Sequence, residues 1–545
     1  MEERHRKVRR VHLRSGIPHA KLVRLLGDLQ KEDDVASALQ VSRFKLRGAW
    51  RDVYSRVGRK VDVVFGNMTK WAIVSFKLAL MYLVATAPAF QELLRETWVR
   101  RPCSQQDPWS LIVYGDEIVP GNVLRPENYR KLFCWYCTIK ELGPQRTKHE
   151  ICWIPLAVLR SNLMKGEVGR VSVATEVLLR ETLVQDRLAT EGVCLDLKVP
   201  GGGFATLYFK LGNIVADADG HRGMWSVKGA SGKLPCPWCL NIVNDEDMPL
   251  GSNQIVSMAS TDPRHFELAR DADWFAKADM LANRRGAMPK GEFKDMQTAT
   301  GLTYVDGGLL WSSPLRHMLR PTATFTYDSM HCILSNGIAN TELDAMLARL
   351  LREGITFSDI RGFLKPWKFC KVYGKKGAVA AHVTPSRQKS VNNDGCLRVG
   401  ASEMLLLYPL MLYFLQLIIA KTGKLVHEIK SFEALALVLE LIRRGKEGFD
   451  VSADLEDALV AHAKAFANAY PELVPKPKAR FVFHIWLQLR RDAWIIDAFV
   501  GERKHIGVKS VGNDIDNTKV YVASVLFLLL PNKLLTWRSP PGKMM

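Results

Sequence analysis

Residues 110–116 read SLIVYGD, a short apolar run that breaks at Gly115 and ends on an acid. Such a run, bounded by turn formers, predicts a strand with Asp116 at its exit. Residues 204–217 read FATLYFKLGNIVAD and repeat the pattern, with Asp217 at the exit. The glycine turn Gly201-Gly202-Gly203 joins this second strand to another candidate over 194–198. Between the two acids, residues 151–159 predict a strand and 171–185 a helix. Downstream, from 240 to about 500, the apolar spacing is mostly helical. Strands alternating with helix predict an α/β sheet domain, followed by an α-rich region.

The chain has 545 residues, enough for two to four domains. Lys and Arg outnumber Asp and Glu by 76 to 56, a formal charge of +20. That excess points to a polyanionic partner such as DNA or RNA. Ten cysteines are too sparse for a secreted disulfide scaffold of this size. The start, MEERHRKVRR, has no apolar run behind it and does not read as a secretory signal. Residues 404–420, MLLLYPLMLYFLQLIIA, sit at the short limit for a membrane span and contain Pro409 and Gln416. A buried helix is the expectation there, with no membrane partner.

Residues 18–57 predict short helices. Leu22, Leu25, Leu26 and Leu29 recur at helical spacing, and Val41-Ser42 form a turn before a basic helix over 43–54. This is a candidate helix-turn-helix, with Arg43, Lys45, Arg47 and Arg51 near DNA; a plain helical hairpin is the alternative.

Asp116 and Asp217 at strand exits suit two-metal phosphoryl chemistry, which needs carboxylates converging on one point. Turn formation and helix capping are the ordinary alternatives. Glu502, in FVGERKHIGVKS (residues 499–510), is a candidate third acid on a helix that also carries Arg503, Lys504, His505 and Lys509. Lys504 and Lys509 are candidates for phosphate contact. Two rivals stand beside the strand acids: Glu117 for Asp116, and Asp219 for Asp217.

Read together, these motifs resemble the CACTA (En/Spm-like) DDE transposases. DADGHRGMWSVKGASGKLPCPWC (residues 217–239) resembles the family's second-aspartate region, with Asp217, Lys228-Gly229 and Cys236/Cys239 in its pattern. YDSMHCILSNGIANTE (327–342) resembles its Asp-x-x-His element, as Asp328 and His331. AFVGERKHIGVK (498–509) resembles the helix of the third acid, and YGDEIVPGNVLRPENYRK (114–131) the first-aspartate region. The likeness covers about 110 to 515. It implies an RNase H-like core interrupted by a long, mainly α-helical insertion. The expected division is a basic helical region over 1–100, the first part of the core over 105–240, the insertion over 241–480, and the rest of the core with a tail over 481–545. It further implies Mg²⁺ or Mn²⁺, as two ions on Asp116, Asp217 and Glu502, with DNA cleavage and strand transfer at transposon ends. A nuclear location and a homo-oligomer accompany that reading. A domesticated, inactive DNA-binding protein of the same fold, or an RNase H-like nuclease, are the alternatives.

Cys236 and Cys239, in Pro-Cys-Pro-Trp-Cys, form a tight knuckle of the kind zinc uses. Asp328 and His331 are the expected partners in a candidate Zn²⁺ site. Cys134 and Cys137, in FCWYC, are a rival pair, expected on a helix packed in the core. His484 reads as a core residue. The basic, aromatic stretch over 365–376 is a candidate track for DNA, or a solvated loop.

Overall fold

The sequence pattern that sets the architecture is visible in two strands. LFCWYCTI (Leu132–Ile139) is buried at every position, as a strand covered on both faces must be, while GRKVDVVF (Gly58–Phe65) alternates buried and exposed positions. In a computed structural model, which describes residues 53–65, 68–120, 130–164, 169–243, 256–257, 260, 262–369, 378–394, 396–397, 399–473, 477–513, 515 and 521–534, both belong to one mixed sheet. The chain is mixed α/β and divides into two compact units. The first comprises residues 1–226, 304–324 and 499–545; the second comprises 227–303 and 325–498.

The first unit carries β1 (Gly58–Phe65), β2 (Met68–Val74), β3 (Trp109–Ile118), β4 (Leu132–Ile139), β5 (Ile154–Arg160) and β8 (Phe209–Ala216). They run in the order β1-β2-β5-β4-β3-β8. All neighbours are antiparallel except β3 and β8, which are parallel. β6 (Val193–Val199) and β7 (Gly203–Leu207) form a separate antiparallel ribbon. Aromatic side chains fill the sheet's core: Trp71 meets Trp135 edge-on at 5.5 Å. Their indole N–H groups are satisfied, Trp71 donating to the Val158 carbonyl at 2.9 Å and Trp135 to Thr175 Oγ1 at 3.1 Å.

The longer helices of this unit, among the described residues, are α1 (Phe76–Thr86), α2 (Pro88–Arg100), α3 (Arg170–Leu179), α4 (Ala218–Trp225), α5 (Phe499–Asn513) and α6 (Tyr521–Leu534). Ser75 caps α1, its hydroxyl accepting from the Leu78 amide. The helix expected over 171–185 is α3, continued by a π-helical turn over Arg180–Gln185. Residues 304–324 return to this unit between two parts of the second; there Ser312 donates to Glu176 on α3 at 2.9 Å.

Two local expectations are corrected. Cys134 and Cys137 lie on strand β4, not on a helix; the run is short, aromatic and continuously apolar, which suits a central strand. The sheet also begins well before residue 105, because β1 and β2 fall in the stretch read as helical. The period-2 pattern KVDVVF was the overlooked signal there. The helices expected over residues 18–52, with Arg43, Lys45, Arg47 and Arg51, lie outside the described residues.

The second unit is helical in the main, its longest helices being Asp271–Arg284, Ile338–Arg352, Ala401–Phe414, Val426–Lys446 and Ser452–Ala469. Its core holds a polar knot: fully buried Glu342 accepts from the Ser431 hydroxyl and contacts His462 Nε2 at 2.8 Å. Tyr408 and Phe432 stack at 3.9 Å beside it. The apolar stretch 404–420 is helical, with Pro409 inside and a π-helical turn at Leu415–Ile419. Helix 401–422 is long and apolar enough to cross a membrane by composition; Met404, Leu407, Tyr408 and Met411 are fully buried, while Leu405, Tyr413 and Ile418 are exposed.

Candidate metal centres

In the first unit the sheet register brings the two strand acids together. β3 and β8 are parallel, with Tyr114 opposite Val215. Two residues further along the chain in each case come Asp116, which lies inside β3 rather than at its exit because the strand runs on to Ile118, and Asp217, the first residue after β8. Helix α5 adds Glu502 and His505, which share one face at i and i+3. The glycine before each of two acids permits the close approach. A Cβ on Gly501 would lie 2.1 Å from the Tyr114 ring, and one on Gly115 would lie 2.7 Å from Met224 Sδ on α4. Small size therefore lets α5 rest on Tyr114 and α4 on β3.

Donor atoms of Asp116, Glu502 and His505 lie within 4.8 Å of one another. His505 Nδ1 is 3.7 Å from Asp116 Oδ2 and 3.8 Å from Glu502 Oε2. The Tyr114 hydroxyl donates to Asp116 Oδ2 at 2.9 Å, and the Glu117 amide donates to Oδ1 at 2.6 Å. Burial, then the charge of Asp217, then that of Glu502, raise the Asp116 acid to about 8, against those two hydrogen bonds. Burial also holds His505 below its ordinary value. Asp217 stands outside the 4.8 Å group and acts on Asp116 through its charge. Its Oδ1 caps α4, accepting from the Gly220 amide at 2.6 Å. Carboxylate oxygens crowded against each other in a half-buried recess suit a hard divalent cation.

The rival acids point elsewhere. Asp219 lies on α4, exposed and paired with Arg222 at 2.7 Å. Glu117 pairs with Lys131 at 2.5 Å and accepts from Ser161. Lys504 is corrected. It is buried rather than free for phosphate: its ammonium donates to the carbonyls of Glu150 at 2.9 Å and Trp153 at 2.5 Å, beside the Tyr136 ring. Those two carbonyls occupy its donors inside the fold. Lys509, one turn beyond His505, is exposed.

In the second unit a different set converges. Cys236 and Cys239 form the expected knuckle, with the Cys239 amide donating to the Cys236 carbonyl. His484 Nε2 lies 3.1 Å from Cys236 Sγ and 3.5 Å from Cys239 Sγ, all three residues being buried. The Tyr327 hydroxyl contacts Cys236 Sγ at 3.4 Å, and its ring stacks on His484. Burial alone would push the Cys236 thiol up, but the hydrogen bond from Cys239 and the contacts with His484 and Tyr327 turn it well below the ordinary thiol value. Cys239 moves the opposite way, so the pair favours one thiolate.

Asp328 and His331 are not part of this set. They bond each other, and Asp328 also accepts from the amides of Met330, His331 and Ala498. With those partners it holds the turn before the π-helical segment Met330–Leu334. Two thiol sulfurs and an imidazole are a donor set suited to zinc, with three of the usual four positions supplied among the described residues. The spacing of His484 from the cysteines, 248 and 245 residues in sequence, left no local signal by which to pair them. His505 was likewise hidden among cations on its own helix; only its i+3 relation to Glu502 marked it. No protein-family model matches the chain, and no curated protein matches it.

Proposed function

We propose that the protein is a DDE-type transposase-like enzyme, which cleaves DNA and joins strands at transposon ends with two divalent ions on Asp116, Asp217 and Glu502. The observation that carries this reading is that Asp116 and Glu502, from far-separated segments, bring donor atoms within 4.8 Å of one another, with Asp217 close enough for its charge to act on Asp116. An RNase H-like core is part of the proposal, and the order β5-β4-β3-β8, antiparallel twice and then parallel, supports it. So does the interruption of the sheet-bearing unit by a helical one between Asp217 and Glu502. The formal charge of +20 suits DNA as partner. A nuclear location and self-association belong to the same reading.

Bound there, two Mg²⁺ or Mn²⁺ ions would activate a water and stabilise the entering and leaving oxygens of the phosphodiester. The chain's own residues set the stage. Tyr114 and the Glu117 amide fix the two oxygens of Asp116. The α4 cap fixes Asp217. Gly501 seats α5 so that Glu502 faces the strand acids. In the second unit, Cys236, Cys239 and His484 would hold zinc as a structural clamp.

The test is cleavage of labelled DNA carrying the element's own ends, with binding followed separately by gel shift. Asp116→Ala and Glu502→Ala are expected to abolish cleavage and spare binding. Cleavage unchanged in both refutes the assignment. Products of end joining separate a transposase from an RNase H-like nuclease; binding without any cleavage by the wild type marks a domesticated DNA-binding protein.

A further inference from the structure

His505 belongs to none of the three acid positions, yet it is built into their cluster. Its side chain is 3% exposed. The ring sits against Tyr114 and Tyr136, with centroids 5.7 Å away in each case. Those two tyrosines face each other across β3 and β4, so the sheet itself fixes the imidazole. Its Nδ1 is aimed at the acids, and its Nε2 has no hydrogen-bond partner among the described residues.

The distances from Nδ1 to Asp116 Oδ2 and Glu502 Oε2, 3.7 and 3.8 Å, are too long for hydrogen bonds. They suit ligands of one shared cation. With bonds of about 2.1 Å, neighbouring ligands of an octahedral ion stand about 3.0 Å apart and opposite ones about 4.2 Å. Both measured distances fall between those limits.

We propose that His505 Nδ1 is a direct ligand of the ion held by Asp116 and Glu502, making that position a mixed nitrogen–oxygen site. The inference rests on the metal-binding reading above and deepens it. Its consequence is selectivity. An imidazole donor favours a transition metal, whereas Mg²⁺ prefers an all-oxygen shell. The His505 position therefore takes Mn²⁺ in preference to Mg²⁺, while the Asp217 side keeps oxygen donors.

The probe is Mn²⁺ bound to the full-length protein, read by pulsed electron paramagnetic resonance. Wild-type protein is expected to show coupling to a directly bound nitrogen, altered when histidine is labelled with ¹⁵N. His505→Gln should remove that coupling, weaken Mn²⁺ by about tenfold and leave Mg²⁺ affinity nearly unchanged. Asp116→Asn should weaken both ions. Mn²⁺ binding that needs Asp116 but shows no nitrogen coupling overturns the role of His505 and leaves the carboxylate site standing. A coupling that survives in His505→Gln belongs to another histidine, such as His484, and also overturns it. Mn²⁺ binding indifferent to both substitutions overturns the carboxylate site itself. If His505→Gln folds poorly, the wild-type spectrum still tests the proposal, since absence of nitrogen coupling overturns it, and His484→Gln excludes the other cluster: the coupling is expected to persist there, and its loss overturns the assignment to His505.

Discussion

The two donor clusters differ in both element and exposure. In the first unit the donors are mainly oxygens, and the Glu502 side chain is 41% exposed. In the second they are two sulfurs and a nitrogen, all sealed from solvent. A partly open oxygen site can exchange its ion and admit a substrate; a buried thiol–imidazole set, shielded from solvent, suits an ion that pins the chain. Similar numbers of donors thus suit different tasks, and the surroundings decide which.

The sharpest break would come from stripping zinc. If the sulfur cluster is a structural clamp, Cys236→Ser should cost about 3 kcal/mol or more and lower the melting temperature by roughly 10 °C. A melting curve unchanged by that substitution and by a zinc chelator would remove the contrast. Stripping Mg²⁺ or Mn²⁺ from the oxygen cluster should silence cleavage yet leave the fold intact.

A second expectation concerns pH in metal-free protein. An unfolded Asp titrates near 3.9, whereas folded Asp116 titrates at about 8. Below pH 4 both states hold the proton and nothing is lost. As pH climbs from about 4 to about 8, the folded state alone keeps it, so stability falls across that window. Asp116→Asn should remove the fall, making the metal-free variant roughly 2 kcal/mol more stable than wild type at pH 8. Denaturant melts at pH 5 and 8 check this; equal slopes with pH in both proteins would deny the carboxylate crowding.

Gly501→Ala comes next. Its added methyl meets the Tyr114 ring, so a loss of about 1 to 3 kcal/mol is expected, with reduced cleavage as α5 shifts. Full activity in that variant would mean the helix position is not critical. The smallest effect belongs to Asp219→Ala, within about 0.5 kcal/mol and with cleavage retained, since Asp219 is exposed and paired locally. A large loss there would reverse the choice between Asp217 and Asp219.

Much of this was legible in the chain. SLIVYGD and FKLGNIVAD announced two strands, because local composition suffices for that; Asp217 does follow its strand, whereas β3 runs on past Gly115 and Asp116 to Ile118, held by its pairing with β4. The knuckle of Cys236 and Cys239 was legible for the same reason. What sequence could not show was pairing across distance. His484 and His505 acquire their neighbours only through folding, and Asp328 spends its oxygens on local amides that no spacing rule reveals. Lys504 was misread because a cation's sign is written in sequence while its depth is not. β4 was misread because a short, wholly apolar run fits helix and strand alike.

The seating of Lys504 has a practical consequence. Its ammonium is the peg that fastens α5 to the loop ahead of β5, so replacing it with alanine leaves two carbonyls facing a void. Such a variant would lose the seating of α5, and with it any function that depends on Glu502 and His505, for a reason unrelated to nucleic acid. A lysine scan for a nucleic-acid contact would therefore score Lys504 falsely, and only a paired measurement of folding would expose the error.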